Sequence, residues 1–63
     1  MSRQTLRDRN YHVIGYIDIE SSGRQVLRDS YFHILGYYEP GRDETLDSHF
    51  CVVGRGNVLA TLL

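Results

Sequence analysis

Asp29-Ser30-Tyr31-Phe32-His33-Ile34-Leu35-Gly36-Tyr37-Tyr38 decides the fold, because the chain carries this pattern three times. An earlier copy runs from Asp8 to Ile17 and a degraded later one from Asp47 to Gly56. In each copy an Asp stands seven residues before a Gly: Asp8 and Gly15, Asp29 and Gly36, Asp47 and Gly54. An apolar pair precedes each Gly: Val13-Ile14, Ile34-Leu35 and Val52-Val53. Upstream, Arg3-Gln4-Thr5-Leu6-Arg7-Asp8 matches Arg24-Gln25-Val26-Leu27-Arg28-Asp29 at an offset of 21. The third unit is offset by 18 at its Asp and lacks the preceding Arg, which reads as a residue lost from the strand or its turn. A period of this length marks a repeat architecture.

Each unit reads as a β-hairpin. Its first arm is Gln-Thr/Val-Leu-Arg, and its turn begins at the Asp, whose short carboxylate can accept hydrogen bonds from backbone N–H groups just downstream. The second arm is rich in β-branched and aromatic residues, as strands are. Ser21-Ser22-Gly23 breaks the chain after the first unit, and Pro40-Gly41 breaks it after the second, in an order that suits a type II turn. The expected fold is all-β: a meander of about six short strands in three repeated hairpins. It forms one domain over residues 3–63, with units at about 3–20, 24–40 and 42–56 and a short apolar tail at 57–63. The tail, Asn57-Val58-Leu59-Ala60-Thr61-Leu62-Leu63, is too short for its periodicity to separate a helical turn from an extra strand.

Side-chain alternation along the second arms puts Val13, Gly15 and Ile17 on one face and His12, Ile14 and Tyr16 on the other. Unit two divides likewise into Ile34, Gly36, Tyr38 and His33, Leu35, Tyr37. Apolar groups on both faces imply cover on both sides, whereas a sheet with one wet face alternates apolar with polar. A Gly at one register of every unit marks a bulge, a shared bend, or room for a ring packed across from a Tyr.

A chain of 63 residues buries only ~60 % of the surface its unfolded form exposes, so small domains usually add disulfides, a metal or a partner. The single cysteine, Cys51, excludes an intrachain disulfide. Face-to-face packing of copies is then the simplest remedy. The expected interface takes Ile14, Tyr16, Leu35 and Tyr37 from the second arms and Val58, Leu59, Leu62 and Leu63 from the tail, in a closed dimer or tetramer.

The formal net charge of −1 gives no clustered basic footprint, so nucleic acid is disfavoured as a partner. No apolar run approaches the ~18 residues of a membrane span, and the first residues hold no signal-like apolar segment, so a reduced cytoplasmic setting is expected. His12, His33 and Cys51 stand four residues after successive repeat Asp residues, with His49 nearby, and His₂Cys suits zinc. No CxxC or HExxH spacing supports that site, and half-buried strand positions explain the same residues, so no metal or other cofactor is expected. Tyr11, Tyr16, Tyr31, Tyr37 and Tyr38 could stack on a sugar or base, but cross-strand packing explains rings at repeat-equivalent places. Arg7, Asp8, Arg28 and Asp29 fit turn and cross-strand roles better than catalysis. Gly54-Arg55-Gly56-Asn57 could form a backbone nest for an anion, yet a turn into the tail suffices. With no nucleophile elbow, phosphate-binding loop or dinucleotide fingerprint, the chain is not expected to be an enzyme.

The repeated Arg-Asp-x-x-x-His-Val-Ile-Gly-Tyr and the closing Val-Val-Gly-Arg-Gly-Asn-Val-Leu-Ala resemble small uncharacterised bacterial proteins built from Asp-turn β-hairpin repeats, of the kind found among mobile-gene-cassette products. In those a Gly often ends the Asp turn, where this chain has Tyr11, Phe32 and Phe50. The resemblance implies a repeat fold and no activity. The functional expectation is a self-assembling structural or interaction module that binds itself and an unidentified protein. The alternative is a small-ligand or metal-binding protein with a site at subunit boundaries.

Overall fold

The computed structural model describes residues 2–63. They form six strands in one antiparallel sheet: β1 (Ser2–Arg7), β2 (Val13–Ile19), β3 (Gln25–Asp29), β4 (Ile34–Glu39), β5 (Glu44–Asp47) and β6 (Val52–Arg55). The strands lie side by side in sequence order, so the chain is a pure meander. A short 3₁₀ turn, Leu59–Leu62, follows β6. The expected three hairpins are present, and the tail is a helical turn rather than a seventh strand.

The hairpin turns share one construction. Asp8 Oδ1 accepts from the backbone N–H of Asn10 (2.8 Å) and His12 (3.0 Å). Asp29 Oδ1 does the same for Tyr31 (2.8 Å) and His33 (2.9 Å), and Asp47 Oδ1 for His49 (2.8 Å) and Cys51 (3.0 Å). The residue closing each turn is left-handed: φ is 64° at Tyr11, 68° at Phe32 and 65° at Phe50. An aromatic residue therefore holds the conformation that Gly adopts without steric cost, at a penalty on the order of 1 kcal/mol each. Between hairpins, the break at Ser21-Ser22-Gly23 is a tight turn in which Gly23 (φ 93°) donates to the Glu20 carbonyl. The break at Pro40-Gly41 is not type II, because the positive φ falls on Asp43 (52°) and not on Gly41. Two successive turns, Arg42 to Glu39 and Asp43 to Pro40, end in this left-handed Asp, whose carboxylate accepts the Tyr38 hydroxyl at 2.7 Å.

A bulge precedes every repeat Gly. Leu6 pairs with Gly15 and Arg7 with Val13, leaving Ile14 unpaired in that ladder. Leu27 with Gly36 and Arg28 with Ile34 leave out Leu35, and Thr45 with Gly54 and Leu46 with Val52 leave out Val53. Strict alternation across Val13–Gly15 therefore fails: residues two apart pair with neighbours that point to opposite faces. The same registers place Leu46 where the earlier units have Arg7 and Arg28, so no residue is missing from the third strand. The shortening lies in the connection, since Gly15 to Asp29 spans 14 positions and Gly36 to Asp47 only 11.

One face of the sheet is covered by the chain's own tail. On the face carrying the repeat Gly residues, the tail crosses back over β6, β4 and β2. A Cβ built on Gly54 would meet Val58 Cγ2 at 3.2 Å, one on Gly36 would meet Leu62 Cδ1 at 2.5 Å, and one on Gly15 would meet Leu63 Cδ2 at 3.0 Å. The Gly residues thus form a row of seats for aliphatic tips from the tail, not for a tyrosine ring. Leu27 and Leu59 have no exposed surface, nor does Thr45, whose hydroxyl donates to the Gly56 carbonyl (2.7 Å) and accepts from Val58 N–H (3.0 Å). This polar clip fixes where the tail leaves the sheet.

Candidate functional site

The other face is built from aromatic rings and ion pairs supplied by alternate positions of β1 to β4. Tyr16 on β2 lies under Phe32, the closing residue of the next hairpin turn, with centroids 4.8 Å apart and planes 5° apart. Tyr37 on β4 lies under Phe50 in the same way, at 4.6 Å and 8°. Phe32 and Phe50 thus fold back over the Tyr that follows the previous unit's Gly. Such a pair is worth ~0.5–1.5 kcal/mol beyond its area, about what the backbone strain costs. The guanidinium of Arg3 sits 5.4 Å from the Tyr16 centroid and 5.1 Å from that of Phe32, and Arg24 sits 5.8 Å from Tyr37.

The charges on this face repeat too. Asp18, three residues after Gly15, is held by Arg3 Nε (2.5 Å) from β1 and Arg28 Nε (3.0 Å) from β3. The Arg3 hydrogen bond, with help from Arg28 and against partial desolvation, keeps the Asp18 carboxyl below the usual carboxylate range. Glu39, three residues after Gly36, takes both Nε (2.9 Å) and Nη2 of Arg24. Arg28 also donates to the Phe32 carbonyl (3.3 Å), and its counterpart Arg7 donates to the Tyr11 carbonyl (3.2 Å). Among the described residues, Arg7 has no carboxylate partner.

The residues expected at an oligomer interface have separate fates. Leu59 is wholly buried inside its own chain and has no surface left for a partner, which corrects its assignment to an interface. Val58 and Leu62 are half-buried over Gly54 and Gly36, and Leu63, over Gly15, stays 46 % exposed. Tyr16 and Tyr37 lie half-buried in the intrachain stacks. Ile14 and Leu35, the bulge residues, keep exposed and half-exposed surface. The tail thus docks on its own sheet because the Gly row offers it seats, a relation that sequence spacing alone did not indicate.

His12, His33 and Cys51 do not converge. They occupy equivalent points of successive hairpins, which lie two strand spacings apart, about 9.5 Å. Each His instead faces its own turn carboxylate: His12 Nδ1 is 3.5 Å from Asp8 and His33 Nδ1 3.1 Å from Asp29. No group of three metal-ligand side chains occurs among the described residues, His49 included. A shallow recess of about 280 Å³ lies against β1 to β3, with Arg3, Asp18, Val26 and Arg28 among its walls. It is small for a ligand pocket, and its two Arg side chains are already bound to Asp18. The only cysteine, Cys51, is free and exposed.

What the sequence did not show is the stacking role of the residues that close the second and third turns. Tyr11, Phe32 and Phe50 recur three residues after each repeat Asp, and their shared aromatic character at a Gly-type position was the available signal. No helix of the described residues is long and apolar enough to cross a membrane. No known family model, curated protein or solved structure matches the chain.

Proposed function

We propose that this chain is a small β interaction module that assembles with copies of itself through the bulged ends of its hairpins. One observation carries the reading. With the Gly-bearing face covered from within, aliphatic residues at every bulge remain open, with Ile14, Ile34, Val52 and Val53 at 39, 37, 55 and 47 % exposure. They stand at the bulge of every hairpin, so the exposure recurs with the repeat and at one end of the sheet. Apolar exposure concentrated in one region usually marks an interaction site. Because the tail docks within its own chain, assembly joins folded copies and does not complete their folding.

Light scattering on the full chain at micromolar concentration tests this. A mass of two or four chains is expected against the 7.3 kDa of one, with Val52→Ser and Val53→Ser shifting it to the monomer while the sheet stays folded. A monomer at all concentrations up to the millimolar range ends the reading. A cytoplasmic setting belongs to the same proposal and fits the free Cys51, since thiols persist in reducing compartments. The likeness to bacterial Asp-turn repeat proteins rests on the repeat motif and the closing segment over residues 52–60.

A further inference from the structure

The outer edge of β1 is a vacant copy of an edge that the chain fills elsewhere. Arg3-Gln4-Thr5-Leu6-Arg7-Asp8 matches Arg24-Gln25-Val26-Leu27-Arg28-Asp29 at five of six positions. The second segment carries β3, whose one edge receives β2 in the register Gly15 to Asp29, Tyr16 to Arg28, Ile17 to Leu27, Asp18 to Val26 and Ile19 to Gln25. Among the described residues β1 is a terminal strand of the sheet, paired only with β2. The corresponding edge of β1 is open.

Two further groups at this edge lack the partner that their counterparts have. Phe32 stacks on Tyr16 and Phe50 on Tyr37, whereas Tyr11, in the same left-handed conformation, is 80 % exposed with no ring beneath it. Arg28 binds Asp18 as well as the Phe32 carbonyl, whereas Arg7 makes only the corresponding carbonyl bond. Tyr11 therefore bears the strain of its backbone without the stack that offsets it at Phe32, and strain of this sort is characteristic of ligand-contacting positions.

We infer that β1 is a strand-addition site for an extended segment of the form Gly-Tyr-x-Asp or Gly-Tyr-x-Glu carried by a partner protein. Running antiparallel to β1, that segment sets its Gly opposite Asp8, its Tyr opposite Arg7 and beneath Tyr11, and its acid opposite Thr5 within reach of Arg7. Main-chain hydrogen bonds along the strand supply affinity, and the ring and the carboxylate supply selection. The chain's own opposite edge does not fit. In this register β6 of a second copy would set Arg55 against Arg7 and place Asn57 where the acid belongs. Like charges directly opposed across strands destabilise pairing, so head-to-tail growth is disfavoured. The site goes beyond the self-assembly proposed above and does not depend on it, since that assembly uses the bulged hairpin ends.

The test is a titration of the ¹⁵N-labelled full chain with the blocked peptide of residues Val13–Ile19, followed by amide chemical shifts and hydrogen exchange. The β1 amides from Arg3 to Arg7 are expected to shift and to gain protection at peptide concentrations up to about 1 mM. Peptides with Tyr16→Ala or Asp18→Asn should bind about threefold to tenfold more weakly, as should the Arg7→Gln and Tyr11→Gly proteins. Tyr11→Gly keeps the turn in a conformation that Gly adopts freely, so lost binding there is not lost folding. No β1 response, a response confined to β6, or equal binding of the Tyr16→Ala peptide would overturn the inference.

Discussion

Gly36→Ala probes the feature that holds the two layers together. The new methyl would lie 2.5 Å from Leu62 Cδ1 and 2.6 Å from the Leu46 carbonyl oxygen, against ~3.5–4.0 Å for an ordinary carbon contact. Leu62 can rotate away, but the tail then loses its seat on β4. The carbonyl belongs to the β4–β5 ladder and yields only if the strands part. Overpacking of this type costs ~1–3 kcal/mol, and the entropic gain of Ala over Gly in the unfolded chain returns ~0.4–1. A net loss of about 1–2 kcal/mol is expected, or a Tm lower by roughly 4–16 °C for a domain this small. Gly54→Ala meets only Val58 Cγ2, at 3.2 Å, and should change Tm little. Urea unfolding of both variants, alone and in a Leu62→Ala background, separates the two clashes. The Gly36→Ala penalty should shrink there without vanishing, because the carbonyl remains. Equal stability of the Gly36→Ala and Gly54→Ala proteins would refute the seating of the tail on the Gly row.

Thr45→Val should cost about 1–3 kcal/mol, because it leaves Val58 N–H and the Gly56 carbonyl without the buried hydroxyl, while Thr45→Ser should recover most of the loss in the same urea assay. Acid should destabilise the fold. The Asp18 carboxyl is lowered by its Arg3 bond and that of Asp47 by the Cys51 N–H; at Asp29 the His33 and Tyr31 N–H groups and the His33 ring prevail over desolvation. Groups with depressed folded-state pKa values contribute stability above the unfolded carboxylate value of ~3.9 and lose it as pH falls through their folded values. Melting scans should therefore be flat from neutral pH to about 5 and fall steadily below about 4. Phe32→Gly should lower stability by about 1 kcal/mol through loss of the Tyr16 stack, whereas Tyr11→Gly should leave the isolated chain as stable or slightly more so.

The repeat made the meander legible, because Asp turns, β-branched arms and breakers all agreed on where the strands begin and end. The bulges were legible only in part. A Gly at one register signalled them, but the skipped residue before it was hidden by the assumption of strict alternation. Leu59 and Leu62 read as a sticky segment that must dock on its own sheet or on a neighbour's, and one-dimensional spacing cannot choose between them because it does not show that three Gly residues, far apart in the chain, line up beneath the tail. The likeness of β1 to β3 was visible from the start. That one of these edges is filled and the other open became apparent only with the strand order.

The strand order also has a kinetic consequence. Every ladder joins neighbours in sequence, so the sheet can zip from one hairpin to the next without closing long loops. Low contact order of this kind favours fast folding for a β protein. The tail alone makes distant contacts, reaching from Leu63 back to Gly15. Its docking should come late, after the transition state, so truncations at Leu62 or Leu63 should speed unfolding while leaving the refolding rate nearly unchanged. The residence time of the native state would then be set by seven residues that take almost no part in reaching it.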